Sequence, residues 1–269
     1  PAPQRSPGRW TVISERADVV VSATGVLHHP STPDIEGLDS FEGATFHSAR
    51  WDHEVELDGR RIGIIGTGST ASQIVAALAE RAGQLTMFQR TAQWIAPTPD
   101  KAYSERAKWA FRWVPGLAFL YYHFFRLMFE YLAARAVIKP GWQRRRIAEA
   151  CRNNLAGVRD PELRRKLTPD YEPMCKRLIM SAGFYEAIQA DNCAVVTDTI
   201  ERIEPTGVRT ADGTLHGFDV LVLATGFDPH AFMRPMNLVG ENGLTLKEAW
   251  SEAVTAYRTV ALAGFPNFF

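Results

Sequence analysis

A chain of 269 residues with 30 basic and 30 acidic side chains has no overall field that would draw in nucleic acid or an anionic surface. Its composition, 46% hydrophobic and 22% charged, is that of a globular protein with room for one large or two medium domains. Three cysteines, Cys151, Cys175 and Cys193, are widely spaced and form no C-x-x-C pair, so neither a metal site nor a disulfide framework is expected, and a reducing, cytoplasmic setting fits.

The chain opens Pro1-Ala2-Pro3 without an apolar leader and ends on Phe268-Phe269, which reads as a piece of a longer protein. Residues 17–23 (ADVVVSA) form a β-branched run ending in Thr24-Gly25, the pattern of a buried strand reaching a turn. Residues 29–37 have the Pro, Ser and Gly density of a loop. Residues 61–65 (RIGII) predict a second buried strand, Gly66 to Gly68 a turn, residues 70–82 a helix from the spacing of Ile74, Leu78 and Ala82, and residues 84–89 (QLTMFQ) a third strand. Strand, glycine turn, helix, strand is a βαβ unit of the Rossmann type.

From Tyr103 to about Arg165 the chain turns dense in apolar and aromatic residues at helical spacing, with breaks at Pro115 and Pro140-Gly141. His123, Arg126, Glu130 and Arg135 interrupt the most apolar part, so no uninterrupted run reaches the about 18–20 apolar residues of a transmembrane span, and a packed helical insertion is favoured over a membrane-crossing helix. The expectation is a helical insertion packed on its parent domain, with an amphipathic surface in peripheral contact with a membrane left open. Arg144-Arg145-Arg146 and Arg164-Arg165-Lys166 read as solvated helix faces. Beyond Arg177 come a short helix (183–190), a strand (194–197), two strands (200–203 and 208–210) about a Pro205-Thr206-Gly207 turn, a hairpin turn at 211–214, and a buried strand (219–224) ending in Thr225-Gly226.

The glycine turn carries the first chemical inference. A dinucleotide pyrophosphate needs close-approaching backbone N–H groups and the positive end of a helix. Gly66 makes the turn, Gly68 permits the approach, Ala71 packs helix on strand, and Thr67, Ser69 and Thr70 complete the loop and helix start. An NAD-specific site places a carboxylate about 20 residues on. Here Gln89-Arg90-Thr91 stands there instead. The Arg90 fork suits a 2′-phosphate, so NADPH is expected over NADH. A purely structural glycine turn and a surface arginine are the competing readings.

Three further stretches carry a family resemblance. Phe41, Gly43, His47, Trp51 and Asp52 stand at the spacing F-x-G-x-x-x-H-x-x-x-W-D; Tyr171 to Arg177 contains P-x-x-K-R; and Leu223-Ala224-Thr225-Gly226-Phe227-Asp228 repeats the earlier strand exit. Together with the glycine turn and Gln89-Arg90-Thr91, they resemble the type I Baeyer–Villiger monooxygenases of the flavin-containing monooxygenase superfamily. That resemblance implies an α/β fold in which a Rossmann-like NADPH-binding domain with a helical insertion is embedded in a discontinuous FAD-binding domain. It divides the chain into 1–44 (FAD-domain remnant and crossing), 45–226 (NADP-binding, with the insertion at about 98–172) and 227–269 (return into the FAD domain). The cofactors implied are FAD and NADP, and the substrates dioxygen and a ketone, giving an ester or lactone. It implies that Lys176 binds NADP, that catalytic Arg177 stabilises the anions the reaction builds, and that the Phe41–Asp52 stretch is a hinge in which His47 and Trp51 place the cofactor. The expected first FAD-binding G-x-G-x-x-G does not occur before Gly25. An N- or S-oxygenating flavin monooxygenase and an inactive NADP-binding fragment are the alternatives.

Overall fold

A computed structural model describes residues 15–98, 102–233 and 235–269. The protein divides into two compact units, one spanning Pro30–Gly226 and the other combining the residues up to His29 with Phe227–Phe269. In chain order the larger unit contains β1 (Ala44–His47), β2 (Arg61–Ile65), α1 (Ser69–Leu78), β3 (Gln84–Phe88), β4 (Ile95–Pro97), α2 (Glu105–Trp113), α3 (Leu117–Phe129), α4 (Arg135–Ile138), α5 (Trp142–Ala156), α6 (Pro161–Leu167), β5 (Ile179–Ser181), α7 (Phe184–Ala187), β6 (Cys193–Val196), β7 (Ile200–Glu204), β8 (Gly207–Thr210), β9 (Leu215–Gly217) and β10 (Val220–Leu223). The smaller unit contributes α8 (Leu246–Ala249).

The larger unit is built on a parallel sheet in the order β1-β10-β2-β3-β6. Its strands are apolar along nearly their whole length because both faces are covered. Strand alternation sorts the side chains. Ile62, Ile64, Leu85, Met87, Val220 and Val222 face a core shared with Ala71, Val75 and Leu78 of α1. Ile65, Phe88, Leu221 and Leu223 face a second core closed by Ile203, Val208 and Phe218, which come with the antiparallel sheet β7-β8-β9. Gly63 leaves the space that Leu221 and Phe218 fill: a Cβ there would sit 2.7 Å from Leu221 Cδ2. At the amino end of the sheet the Asp219 carboxylate accepts hydrogen bonds from the Arg61 backbone N–H (2.9 Å) and from Arg61 Nη2 (2.7 Å), which fixes the register of β10 on β2.

The Rossmann-like βαβ unit and the later strands occupy the places expected of them. Three expectations are corrected. Residues 17–23 do not form a buried strand: Val20 makes an isolated bridge to Phe268, and Val19, Val20 and Val21 are 55%, 46% and 70% exposed. Pairing on one side, through Val20 N–H to the Asn267 carbonyl (2.8 Å) and Ser22 N–H to the Phe269 carbonyl (2.6 Å), leaves the side chains uncovered. The helical insertion packs on its parent domain only through its second half. Ala148, Cys151 and Leu155 of α5 and Leu167 of α6 are buried, whereas α2 and α3 bury no residue. Finally, two of the Arg164-Arg165-Lys166 side chains are tethers. Arg164 Nε donates to the Val158 carbonyl (2.9 Å) and Lys166 Nζ to the Val195 carbonyl (3.3 Å), leaving Arg165 to pair with Glu162.

In the smaller unit α8 starts at a reciprocal cap between Thr245 and Glu248 and buries Leu246 against Phe265 and Phe268. No helix among the described residues is long and apolar enough to cross a membrane.

Candidate functional site

The carboxyl ends of β1, β10, β2 and β3 lie side by side, and His47, the glycine turn and Arg90 stand there, whereas Phe41 and Gly43 precede β1 at the opposite, amino end. Ligands of open α/β sheets bind at this edge, where strand order reverses. In this sheet the reversal falls at β2, with β3 on one side and β10 on the other.

Gly66 follows β2 at φ +130°, and a Cβ on it would lie 2.3 Å from the Ala224 carbonyl oxygen, so only glycine fits against the exit of β10. Gly68 caps α1 without a side-chain hydrogen bond to the helix, and nothing stands within 4 Å of where its Cβ would be. The helix start is therefore open: Gly68, Ser69 and Thr70 are exposed and the first-turn N–H groups have no side-chain cap. Ala71 is fully buried, which allows the close seating of α1 on the sheet. Thr67 Oγ1 donates to the Thr91 carbonyl (2.9 Å), tying the glycine turn to the exit of β3.

That exit is anchored. Gln89 is buried and its Nε2 donates to the Lys166 carbonyl (2.6 Å), so the next residue, Arg90, is turned outward. Arg90 makes no ion pair or side-chain hydrogen bond with the described residues. Further on, Trp94 Nε1 donates to the Tyr171 carbonyl (2.6 Å) and Tyr171 Oη donates to Gln93 Oε1 (2.9 Å). The Lys176 ammonium lies 4.3 Å from the centre of the Tyr171 ring. Tyr171 thus ties Lys176 to the strand exit that carries Arg90. On the other side, Ile179 N–H donates to the Trp94 carbonyl (3.1 Å) and β5 pairs with β4, so Lys176 and Arg177 project from a segment held at both ends. Within it Met174 sits at φ +73°, a left-handed conformation rare for a side-chain-bearing residue, and Cys175 N–H donates to the Glu172 carbonyl to close the turn. Arg177 is exposed and makes no ion pair with the described residues; Glu172 is held by Arg152.

At the end of β1, His47 is buried. Its Nδ1 accepts the Ala49 N–H (3.0 Å), which leaves the proton on Nε2. Burial pushes its pKa below the ordinary histidine value; a hydrogen bond to the Gly226 backbone opposes that, and the Arg50 charge adds to it. The ring is neutral at pH 7. Trp51 stacks edge-on against Phe46 with ring centres 4.9 Å apart, and it lines a cleft of about 570 Å³ between residues 51–58 and the outer face of α1. That cleft lies along the helix and does not contain the glycine turn. Asp52 is exposed and accepts the Glu54 N–H (3.0 Å), an Asx turn leading away from the sheet. Gly43 is forced: a Cβ there would meet the Asp219 carbonyl at 2.4 Å and the Phe41 ring at 2.6 Å.

The structure therefore brings Gly66 to Ala71, Arg90 and Thr91 to one edge and ties Lys176 to it. His47 shares that edge through β1, whereas Trp51 lines the cleft, which Thr70 also reaches, and Asp52 lies exposed in the turn after Trp51. The anchoring contacts of two residues at this edge escaped the sequence reading. Tyr171 and Lys166 reach β3 or its exit through contacts spanning 77 residues, and no local pattern announces such contacts.

A family profile described as flavin-binding monooxygenase-like matches residues 6–119. The chain is 54% identical over 267 residues to an uncharacterized monooxygenase of Mycobacterium tuberculosis, covering 97% of this chain and 54% of the relative. It is 39% identical to a Baeyer–Villiger monooxygenase of Streptomyces coelicolor (97% and 51% covered) and 36% identical to one of Pseudomonas aeruginosa (94% and 48%). Among solved structures, it superimposes on the NADP+-bound cyclohexanone monooxygenase of Rhodococcus sp. Phi1 with a TM-score of 0.75 at 30% identity, over 94% of this chain and 55% of that one. OTEMO in complex with FAD and NADP gives a TM-score of 0.74 at 29% identity, over 94% and 56%. The chain spans about half the length of the relatives it matches.

Proposed function

Since this chain belongs to the flavin-binding monooxygenase-like family, we propose that it supplies the NADPH-binding part of an FAD- and NADPH-dependent monooxygenase that inserts one atom of dioxygen beside a ketone carbonyl. The product is an ester or lactone. One observation carries this reading: an uncapped helix start behind an obligatory glycine sits on the same sheet edge as an outward Arg90 that has no ion-pair partner among the described residues, with no carboxylate at the β3 exit.

The residues present fit NADP. The open space over Gly68 and the free N–H groups of the first turn of α1 suit a pyrophosphate. Arg90 and Lys176 bring two positive charges for a 2′-phosphate, Arg90 as a fork and Lys176 as a point charge held by the Tyr171 ring. Thr91 fixes the turn through its carbonyl. The bound cofactors supply hydride and oxygen chemistry, and the protein orients them. Arg177, a cation without a counter-ion among the described residues, stabilises the oxyanion formed from the ketone. His47, neutral and held at the β1–β10 exits, keeps the hinge stretch Phe41–Asp52 in register, with Phe41, Gly43 and Trp51 as its packing points.

The test is a product assay on the full-length protein carrying this sequence, supplied with FAD, NADPH and isotopically labelled dioxygen. A cyclic ketone should yield a lactone containing one labelled oxygen, and Arg177→Ala should abolish it while leaving NADPH binding within about twofold, because Arg177 acts on the substrate oxygen. Oxygenation confined to amines or sulfides would replace the ketone reading with an N- or S-oxygenating one.

A further inference from the structure

We propose that the helical arm formed by α2, α3, α4 and the start of α5 is a docking surface for an anionic lipid bilayer, on which it lies flat. The arm is the part of the molecule least explained by packing. α2 and α3 bury nothing, yet they present Trp109 and Trp113, each 62% exposed, Leu120 (66%), Phe124 (63%) and Leu127 to solvent. Val137, Ile138 and Trp142 extend this surface beyond the π-helical turn that follows α3. Monomeric soluble proteins rarely leave large contiguous apolar surfaces bare without an interaction to make there.

The arm is nevertheless a built object. Tyr103, Phe111, Tyr121 and Phe125 form a chain of ring contacts between 4.6 and 5.6 Å that joins α2 to α3, with a hydrogen bond between the Tyr103 and Tyr121 hydroxyls (2.9 Å). These contacts join the two helices and leave the other large apolar side chains of the arm exposed. Leu120, Phe124, Leu127 and Tyr131 recur at i, i+4, i+7 and i+11, a stripe along the rod, and Phe119, Tyr122 and Phe129 are exposed as well.

Charge identifies the occupant. The whole chain is neutral, but residues 104–146 hold nine Lys and Arg against two Glu. Both Glu are already paired, Glu105 with Lys108 and Glu130 with Arg126. The cations interleave with the aromatics: Arg112 lies 5.4 Å from the Trp113 ring centre and Arg135 5.0 Å from that of Tyr131. Such long basic side chains lift their charge toward headgroups while their stems stay with the apolar layer. Trp and Tyr prefer the same interfacial depth. Two copies of the arm facing each other would oppose like charges, which disfavours self-association. No helix here is long and apolar enough to span a bilayer, so the arm rests in one leaflet.

The experiment is co-sedimentation of the full-length protein with vesicles of phosphatidylcholine alone or mixed with phosphatidylglycerol. Binding should be about tenfold or more stronger to the mixed vesicles, and weakened by salt. The pair Leu120→Glu and Phe124→Glu alters only exposed side chains, so it should abolish binding with unchanged circular dichroism. Arg145→Gln with Arg146→Gln should weaken binding to the mixed vesicles and leave binding to phosphatidylcholine unaltered. Vesicle binding that survives the Glu pair would overturn the proposal. So would its absence in the wild type, including the case where sedimentation velocity instead shows a dimer that the Glu pair dissociates.

Discussion

Two stretches of this chain read almost alike, residues 18–25 (DVVVSATG) and 219–226 (DVLVLATG), and they end in different states. The second becomes β10, hydrogen-bonded between β1 and β2 with Leu221 and Val222 fully buried. The first pairs on one side only, and its valines face solvent. A β-branched run records that a segment can be buried; whether it is depends on how many neighbours and layers the fold places around it. The two exits keep one feature in common. Gly25 and Gly226 sit at φ +75° and +80°, so the turn chemistry follows the local sequence even where burial does not.

Substitutions can break or sharpen this contrast. The largest difference is expected in the strand bodies. Leu221→Ala removes a fully buried side chain from between two layers and should cost about 2–5 kcal/mol in chemical denaturation. Val21→Ala, at an exposed position, should stay within about 0.5 kcal/mol; comparable losses would mean that the valine run is buried after all. Next comes the glycine turn. Gly66→Ala drives a methyl into the Ala224 carbonyl at an unfavourable φ, and should destabilise by about 1–3 kcal/mol and remove nucleotide binding. Gly25→Ala and Gly226→Ala have open space around the new methyl, so each should show only the cost of a left-handed residue, about 1–2 kcal/mol. A smaller effect belongs to His47. Because its folded pKa is lowered, the unfolded state takes up a proton first as pH falls below the ordinary histidine value of 6.5, and stability declines from there until the folded pKa is reached. His47→Asn keeps an acceptor for the Ala49 N–H and does not titrate, so stability curves measured between pH 7 and 5 should be flatter for the variant. Parallel curves would remove His47 as the source.

The elements that were legible in the sequence are those whose cause is local. The β2 run, the glycines, the α1 spacing and the β3 run each specify their own structure, and together they place Gly66 to Ala71 and Arg90. The Asp212 turn is equally local: its carboxyl accepts from Thr210 and from the backbone and side chain of Thr214, and those hydrogen bonds hold its pKa down to about 2. What escaped depends on distant partners. Nothing near Gln89 says that it donates to Lys166, and nothing near Trp94 says that it holds Tyr171 under Lys176. The bare faces of α2 and α3 were equally hidden, since an apolar helix that packs and one that stands in solvent share one periodicity.

The most direct measurement is a calorimetric titration of the full-length protein and its Arg90→Ala variant with NADP+ and with NAD+. The wild type should bind NADP+ at least about tenfold more tightly, and Arg90→Ala should remove most of that preference while leaving NAD+ affinity within about twofold, since a guanidinium on a 2′-phosphate is a charge-assisted pair. Equal affinity of the wild type for both dinucleotides, or a preference unchanged in the variant, would contradict the assignment of this sheet edge.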